Sequence, residues 1–297
     1  MRPPRAGRVG QGGRPVTADQ ETPVEHEEAV PGDAVESRPV GLDGLLDERN
    51  QRLAHAGIAR AEDLLLSRYR LSSREEAFDL LRRTSQRFNV KLHTLADVAV
   101  HAPAPERNAH SWMPRRPRGA APALPALRGE GQPAGQGAVL MAALHRTLHI
   151  TGAEMGNVQL VENGMLRLEK HTGLNKRFTD YFTFVEDSTT SCARAAEERR
   201  QVTVKDVAAC DTFDEGSRQA ILQTGSRACH SVPLVSPRGA VVGMISSHHE
   251  GTLGGLADAQ LNALNELGGQ VARWLIWHRG TVAGALDHLH ALATSRR

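Results

Sequence analysis

The chain has 297 residues, of which 40 % are hydrophobic and only 4 % aromatic, enough apolar material for two domains with cores of Leu, Val, Ile and Ala. No apolar run approaches the ~18 residues of a membrane span, and the basic start MRPPRAGRVGQGGRP lacks the apolar stretch of a signal peptide, so a cytoplasmic protein is expected. The net charge of +2 is unevenly spread: residues 49–100 carry ten Lys and Arg against six Asp and Glu, 101–137 five against two, and 138–297 sixteen against sixteen. A polyanion would be drawn to the first module and its linker.

Residues 1–40 are rich in Pro, Gly, Arg and Glu with no hydrophobic period, and read as disordered. Residues 41–100 form a helical module. Its first helix starts near Leu42 or Asp43 and reaches about Tyr69, with Gly57 a candidate break. Ile58, Ala61 and Leu65 share one face. The polar stretch before Gly57 fits a dimerising helix, although it lacks sustained heptads. Ser72 with Glu75, or Ser73 with Glu76, has capping-box spacing, and Ala77, Leu80, Leu81, Thr84 and Phe88 follow as one stripe. A third helix over Lys91 to Val100 turns Leu92, Leu95, Ala96 and Ala99 inward.

Residues 101–137 form a Pro/Gly/Arg-rich linker. Within it, Trp112 and Met113 are either incidental or dock on nucleic acid. The module over 138–280 alternates helix and strand signals. A helix at Ala138–His149 precedes a hairpin turned at Asn163-Gly164, the favoured turn dipeptide. Helical material follows near Lys176–Phe184 and Ser191–Arg199, then a strand at Gln201–Val204 and a helix at Glu215–Gln223. Strands Ala228–Val235 and Ala240–His248 flank the Ser236–Gly239 turn. A long helix from Ala257 to about Arg279 and a helical tail over 281–297 end the chain. The fold class expected is α+β: a three-helix module, then an antiparallel sheet with helices on one face.

Two resemblances emerge from these stretches. The segment IARAEDLLLSRYRLSSREEAFDLLRRTSQRFNVKLHTLADVAV resembles an ANTAR domain, which implies a three-helix RNA-binding antitermination module. The matching features are Ala61, LLLSR, EEAFDLLRR with Ala77 and Phe78, NVKL at 89–92 and LADVAV at 95–100. Where family members commonly carry Lys-Gly, this chain has Glu62-Asp63, which assigns the RNA face to the Arg82-to-His93 side and the first helix to packing and pairing. The phrases GAEMGNVQLVENGMLRLEKHTGL, VTVKDVAACDTF and SRACHSVPLVSPRGAVVGMISSHH, with the long terminal helix, resemble a GAF domain. That resemblance implies a small-molecule sensor or a dimerising unit and names no ligand.

Arg82, Arg83, Arg87, Asn89, Lys91 and His93 cluster around the turn between the second and third helices. They read as an RNA surface, with Tyr69, Phe78 and Phe88 as candidate stacking aromatics. The alternative is a solvated helix face with Phe78 and Phe88 in the core, and for Phe88 the core is the favoured place. In the GAF-like half, Phe184, Cys192, Cys229 and His230 are the candidate ligand-pocket residues. The three cysteines, Cys192, Cys210 and Cys229, are odd in number and lack a CxxC, so neither a disulfide frame nor a zinc cage is indicated. No metal or cofactor is expected, since no His or Cys spacing forms a chelate set, and His248 and His249 point to opposite faces of their strand. No phosphate-binding glycine loop, HExxH or nucleophile elbow is present, so no enzyme is expected. The expected protein is a signal-responsive regulator, a homodimer binding structured RNA such as an antiterminator hairpin. The alternative is a pair of protein-interaction domains without RNA binding.

Overall fold

The computed structural model describes residues 42–105, 109–113, 119–128, 135–186 and 190–295. The disordered-tail expectation for 1–40 lies outside them, as does part of the 101–137 linker.

Three helices open the described chain: α1 (Leu42–Tyr69), α2 (Arg74–Phe88) and α3 (Leu92–His101). α1 runs unbroken through Gly57. Ser73 caps α2 by accepting from the Glu76 amide, while the Glu76 carboxylate accepts from the Ser72 amide and hydroxyl. One orphan helix-end donor, the Glu76 amide, is thereby satisfied, and the Ser72 amide ahead of the cap is held as well. Asn89 ends α2 in the left-handed region, at φ 48° and ψ 44°, a conformation Asn tolerates better than most residues. Ala61, Leu65, Ala77, Leu80, Leu81, Leu95, Ala96 and Ala99 are fully buried where the helices meet, and the four alanines allow close approach.

The second half holds α4 (Gln136–Thr151), β1 (Met155–Glu162), β2 (Met165–Thr172), α5 (Lys176–Tyr181), β3 (Phe184–Val185) and α6 (Ser191–Glu198). β4 (Val202–Val204), α7 (Glu215–Gln223), β5 (Ala228–Val235), β6 (Val241–His249) and α8 (Asp258–Thr294) follow. The six strands form one antiparallel sheet in the order β3-β2-β1-β6-β5-β4. Asn163 and Gly164 both have positive φ, 50° and 82°, as the tight β1–β2 turn requires. Gly243 is obligatory at the β1–β6 contact, because a Cβ there would lie 2.6 Å from the Gln159 carbonyl oxygen.

The α+β class holds, but helices cover both faces of the sheet rather than one. Leu140, Leu144, Val158, Ile245, Leu267 and Val271 pack between α4, the sheet and α8. Phe178, Phe182, Ala195, Phe213, Ile221 and Met244 fill the opposite layer beneath α5, α6 and α7. With both faces covered, β1, β5 and β6 are buried along nearly their whole length, polar residues such as Asn157, Gln159, Ser246 and His248 included.

The long terminal helix and the helical tail are one helix with two clients. Its first half, through Leu275, packs on the sheet. Its second half inserts Val282, Ala285, Leu286, Leu289 and Ala293 into the α1–α3 core as a fourth wall. Trp112 is 2 % exposed in that same core. Its indole N–H donates to the Pro103 carbonyl and the Arg68 guanidinium lies 4.4 Å from its ring centre. Both readings of Trp112 therefore give way to a packing role against the helices.

Candidate nucleic-acid interface and sensor layer

α2 presents its solvent face through Phe78, Arg82, Arg83, Gln86 and Arg87, followed by Phe88 and Asn89, all exposed. The i, i+4 spacing of Phe78 and Arg82, and of Arg83 and Arg87, sets these side chains in two adjacent rows. Asp79 lies between them and accepts from both Arg82 and Arg83 at 2.6 Å, holding their guanidinium planes along the helix. Those two hydrogen bonds keep the Asp79 carboxyl below the ordinary carboxylate range, that of Arg82 being the larger cause. Phe88 was expected in the core. It is instead 39 % exposed, with its ring tilted against that of His288 of α8 at 5.5 Å between ring centres. Tyr69, the third candidate aromatic, is buried and donates its hydroxyl proton to His290 Nδ1 at 2.7 Å. Burial pushes that phenol up to about 12.

The structure separates the six basic and polar candidates into two groups. Arg82, Arg83, Arg87 and Asn89 are open to solvent. Lys91 and His93 face the β1–β2 hairpin. The Lys91 ammonium pairs with the Glu169 carboxylate. His93 Nδ1 lies 2.8 and 2.9 Å from the two Glu162 oxygens, and its Nε2 is 3.7 Å from Glu169. Arg167 stands 3.6 Å from Glu162 and 3.9 Å from Glu169. Burial drives the Glu162 carboxyl upward, but the His93 hydrogen bond and the charges of His93 and Arg167 outweigh it and leave it below the ordinary range. His93, Glu162 and Glu169 bring three ligand-type atoms within 4.8 Å of one another. Two cations already neutralise the two carboxylates, so the geometry is that of an ion-pair network rather than a vacant cation site.

Glu62 and Asp63 also find a physical role. Asp63 pairs with Arg74, the first residue of α2, at 2.5 Å. Burial raises the Glu62 carboxyl despite the opposing charge of Arg74. The pair braces the α1–α2 junction.

The four candidate pocket residues do not form one site. Cys192 and Cys229 meet beneath α6 in a mutually bonded cluster: Cys192 Sγ is 3.1 Å from Ser246 Oγ, Cys229 Sγ is 3.3 Å from Ser191 Oγ, and Ser231 bridges to Ser246 at 2.9 Å. Burial raises both thiols, Cys229 to about 12, so they remain protonated at neutral pH and are poor nucleophiles and metal ligands. His230 points to the opposite face of the sheet. Its Nδ1 accepts from the Thr203 hydroxyl at 2.7 Å and its Nε2–H donates to Gln201 Oε1 at 2.8 Å. Strand alternation between Cys229 and His230 carried this signal in the sequence. Phe184 lines a cavity of about 270 Å³ with Leu46, Arg49, Tyr181, Phe182, Glu186 and Asp214. One wall of that cavity is α1: Arg49 donates to the Phe184 carbonyl at 3.1 Å, and Asn50 to the Asp180 carbonyl at 2.7 Å. The polar residue that sequence reasoning missed is Gln159, 1 % exposed under the α5 layer. Its amide donates to the Phe182 carbonyl, and its Oε1 has no partner among the described residues.

The chain carries an ANTAR domain over residues 49–98, followed by a GAF domain over residues 133–275. No curated protein matches it. Among solved structures, it is similar to a domain of a two-component sensor histidine kinase protein from Sinorhizobium meliloti 1021. The identity is 17 %, over 48 % of this chain and 92 % of that one, with a TM-score of 0.41. The GAF domain/HD domain protein from Geobacter sulfurreducens gives 16 % over 52 % and 97 %, with a TM-score of 0.42. Free methionine-R-sulfoxide reductase from Neisseria meningitidis gives 19 % over 51 % and 86 %, with a TM-score of 0.40. At such identities the activity of each stays with that protein. Both domain types in this chain are regulatory, and among the described residues no helix is long and apolar enough to cross a membrane.

Proposed function

We propose that this protein is a cytoplasmic, signal-responsive regulator that binds structured RNA through the exposed face of α2 and acts as a transcription antiterminator. The observation that carries the reading is the stripe of Arg82, Arg83 and Arg87 flanked by the exposed rings of Phe78 and Phe88. Guanidinium groups fit phosphate oxygens bidentately, and exposed aromatic faces stack on bases splayed from RNA loops. The GAF domain supplies the signal by binding a small molecule or a partner, with the Phe184 cavity at its contact with α1 as the entry. Pairing of two chains through the exposed part of α1, where Leu45 is 53 % exposed, would present two α2 faces to one transcript.

The test uses filter binding of total cellular RNA at about 50 and 200 mM salt. Arg83→Glu with Arg87→Glu changes two exposed side chains and leaves the helical core intact. Retention should fall at both salts, and the log–log salt slope should shrink by about 2, one unit per lost phosphate contact. Equal retention of the variant and the unmodified protein overturns the reading and favours an interaction module without RNA.

A further inference from the structure

The tip of the β1–β2 hairpin is lodged in the ANTAR module. Its Asn163 amide donates to Asp97 Oδ1 of α3 at 3.1 Å. Its Asn163 side chain lies so close to α1 that a Cβ at Gly57 would be 2.8 Å from Nδ2. The Arg279 guanidinium of α8 donates to the Val161 carbonyl at 2.9 Å. Glu162 and Glu169, one at the end of β1 and the other on β2, meet His93 and Lys91, and the Thr94 hydroxyl reaches Glu162 at 3.4 Å. The Glu169 side chain is 2 % exposed and that of Glu162 10 %. Two carboxylates that nearly buried need cations. Arg167 supplies one from the hairpin itself, and Lys91 and His93 meet the carboxylates from the other domain.

We propose that the hairpin is an autoinhibitory clasp, in which the Glu162 and Glu169 carboxylates occupy on Lys91 and His93 the places that RNA phosphates would take. A carboxylate and a phosphate present the same thing to an ammonium or imidazole N–H: an anionic oxygen that accepts. One donor set cannot serve both in full, so RNA binding and hairpin docking compete. The α2 stripe stays open in the clasped form, which therefore binds RNA weakly. Release adds Lys91 and His93 to the interface. Because the hairpin belongs to the GAF sheet, any ligand that shifts β1 and β2 relative to α3 changes RNA affinity by the same factor that RNA changes ligand affinity. This rests on the RNA reading of α2 given above.

The experiment compares three full-length proteins in RNA filter binding: unmodified, Glu162→Gln with Glu169→Gln, and Gly57→Leu. The double variant removes the competing charges at constant shape. Gly57→Leu instead pushes the hairpin tip away from α1 by bulk and touches no charge. Both are expected to bind about tenfold tighter, and the double variant should steepen the salt slope by about 2 through two new phosphate contacts. Hydrogen exchange at 91–97 and 160–169 should rise in both variants without RNA, and at 160–169 in the unmodified protein on adding RNA. Unchanged affinity and exchange, in variants whose circular dichroism matches the unmodified protein, overturns the clasp while the α2 reading stands. Absence of RNA binding in all three proteins overturns both.

Discussion

The C-terminal half of α8 is a structural member of the ANTAR module, and deleting residues 281–297 shows how much depends on it. Val282, Leu286 and Leu289 are each 0 % exposed among Leu65, Leu80, Leu81 and Leu95. Fully burying a Val or Leu side chain contributes about 1.5–3 kcal/mol, so the three together contribute roughly 5–9 kcal/mol. The deletion also removes His290, which accepts from the Tyr69 hydroxyl at 2.7 Å and donates to the Ala109 carbonyl at 2.9 Å. Roughly 5–15 kcal/mol is the whole stability of an ordinary domain, so α1–α3 should lose their cooperative fold. The GAF layer draws on α8 through Trp277 and the Arg279 bond to Val161, both retained by the deletion, and should persist. Hydrogen exchange read by peptide is the assay. Amides of α2 and α3 should exchange near the unchained rate, while those of β1, β5 and β6 keep their protection. Slow exchange in α2 and α3 after the deletion would refute the four-walled core.

Two further perturbations test other parts of the structure. Burial lowers His230 to about 4 and His248 to about 3, with the charge of His249 adding to the effect in both. The unfolded chain, with imidazoles near 6.5, then binds more protons than the folded one, so stability is fullest above that value and falls as pH drops below it. At pH 5 each imidazole costs about 2 kcal/mol, about 4 kcal/mol for the two, read as a falling urea midpoint between pH 7 and 5. A flat midpoint across that range would contradict the buried neutral assignment. Trp112→Phe should lower stability by about 1–2 kcal/mol, through loss of the indole bond to Pro103 and weaker stacking with Arg68. It should leave RNA retention unchanged, and a loss of RNA binding at constant stability would return Trp112 to the nucleic-acid face.

The local elements were legible because their signals are local. The α1 and α2 periods, the Ser73–Glu76 cap and the Asn163-Gly164 turn each depend on residues within a few positions of one another. So did the β-rich runs of β5 and β6 on either side of the Ser236–Gly239 turn. β3 escaped notice because two residues, Phe184 and Val185, carry no period. Cys229 and His230 were grouped by chain proximity, although adjacent strand residues must part to opposite faces.

The sequence by itself determined most of the helices and strands and the concentration of positive charge on the first module, since propensity, periodicity and charge are properties of neighbouring residues; the ANTAR-then-GAF order came from the resemblance of its phrases to those families. Only the tertiary structure decided what those elements meet. It joined the terminal helix and the tail into one strut serving both domains, left Phe88 largely in solvent beside His288, and set Glu162 and Glu169 against His93 and Lys91 across 69 and 78 positions of chain. A carboxylate that distant leaves no trace in the pattern around a lysine. Whether Lys91 faces water, RNA or its own chain is settled by packing, where one nearly buried acid needs one cation.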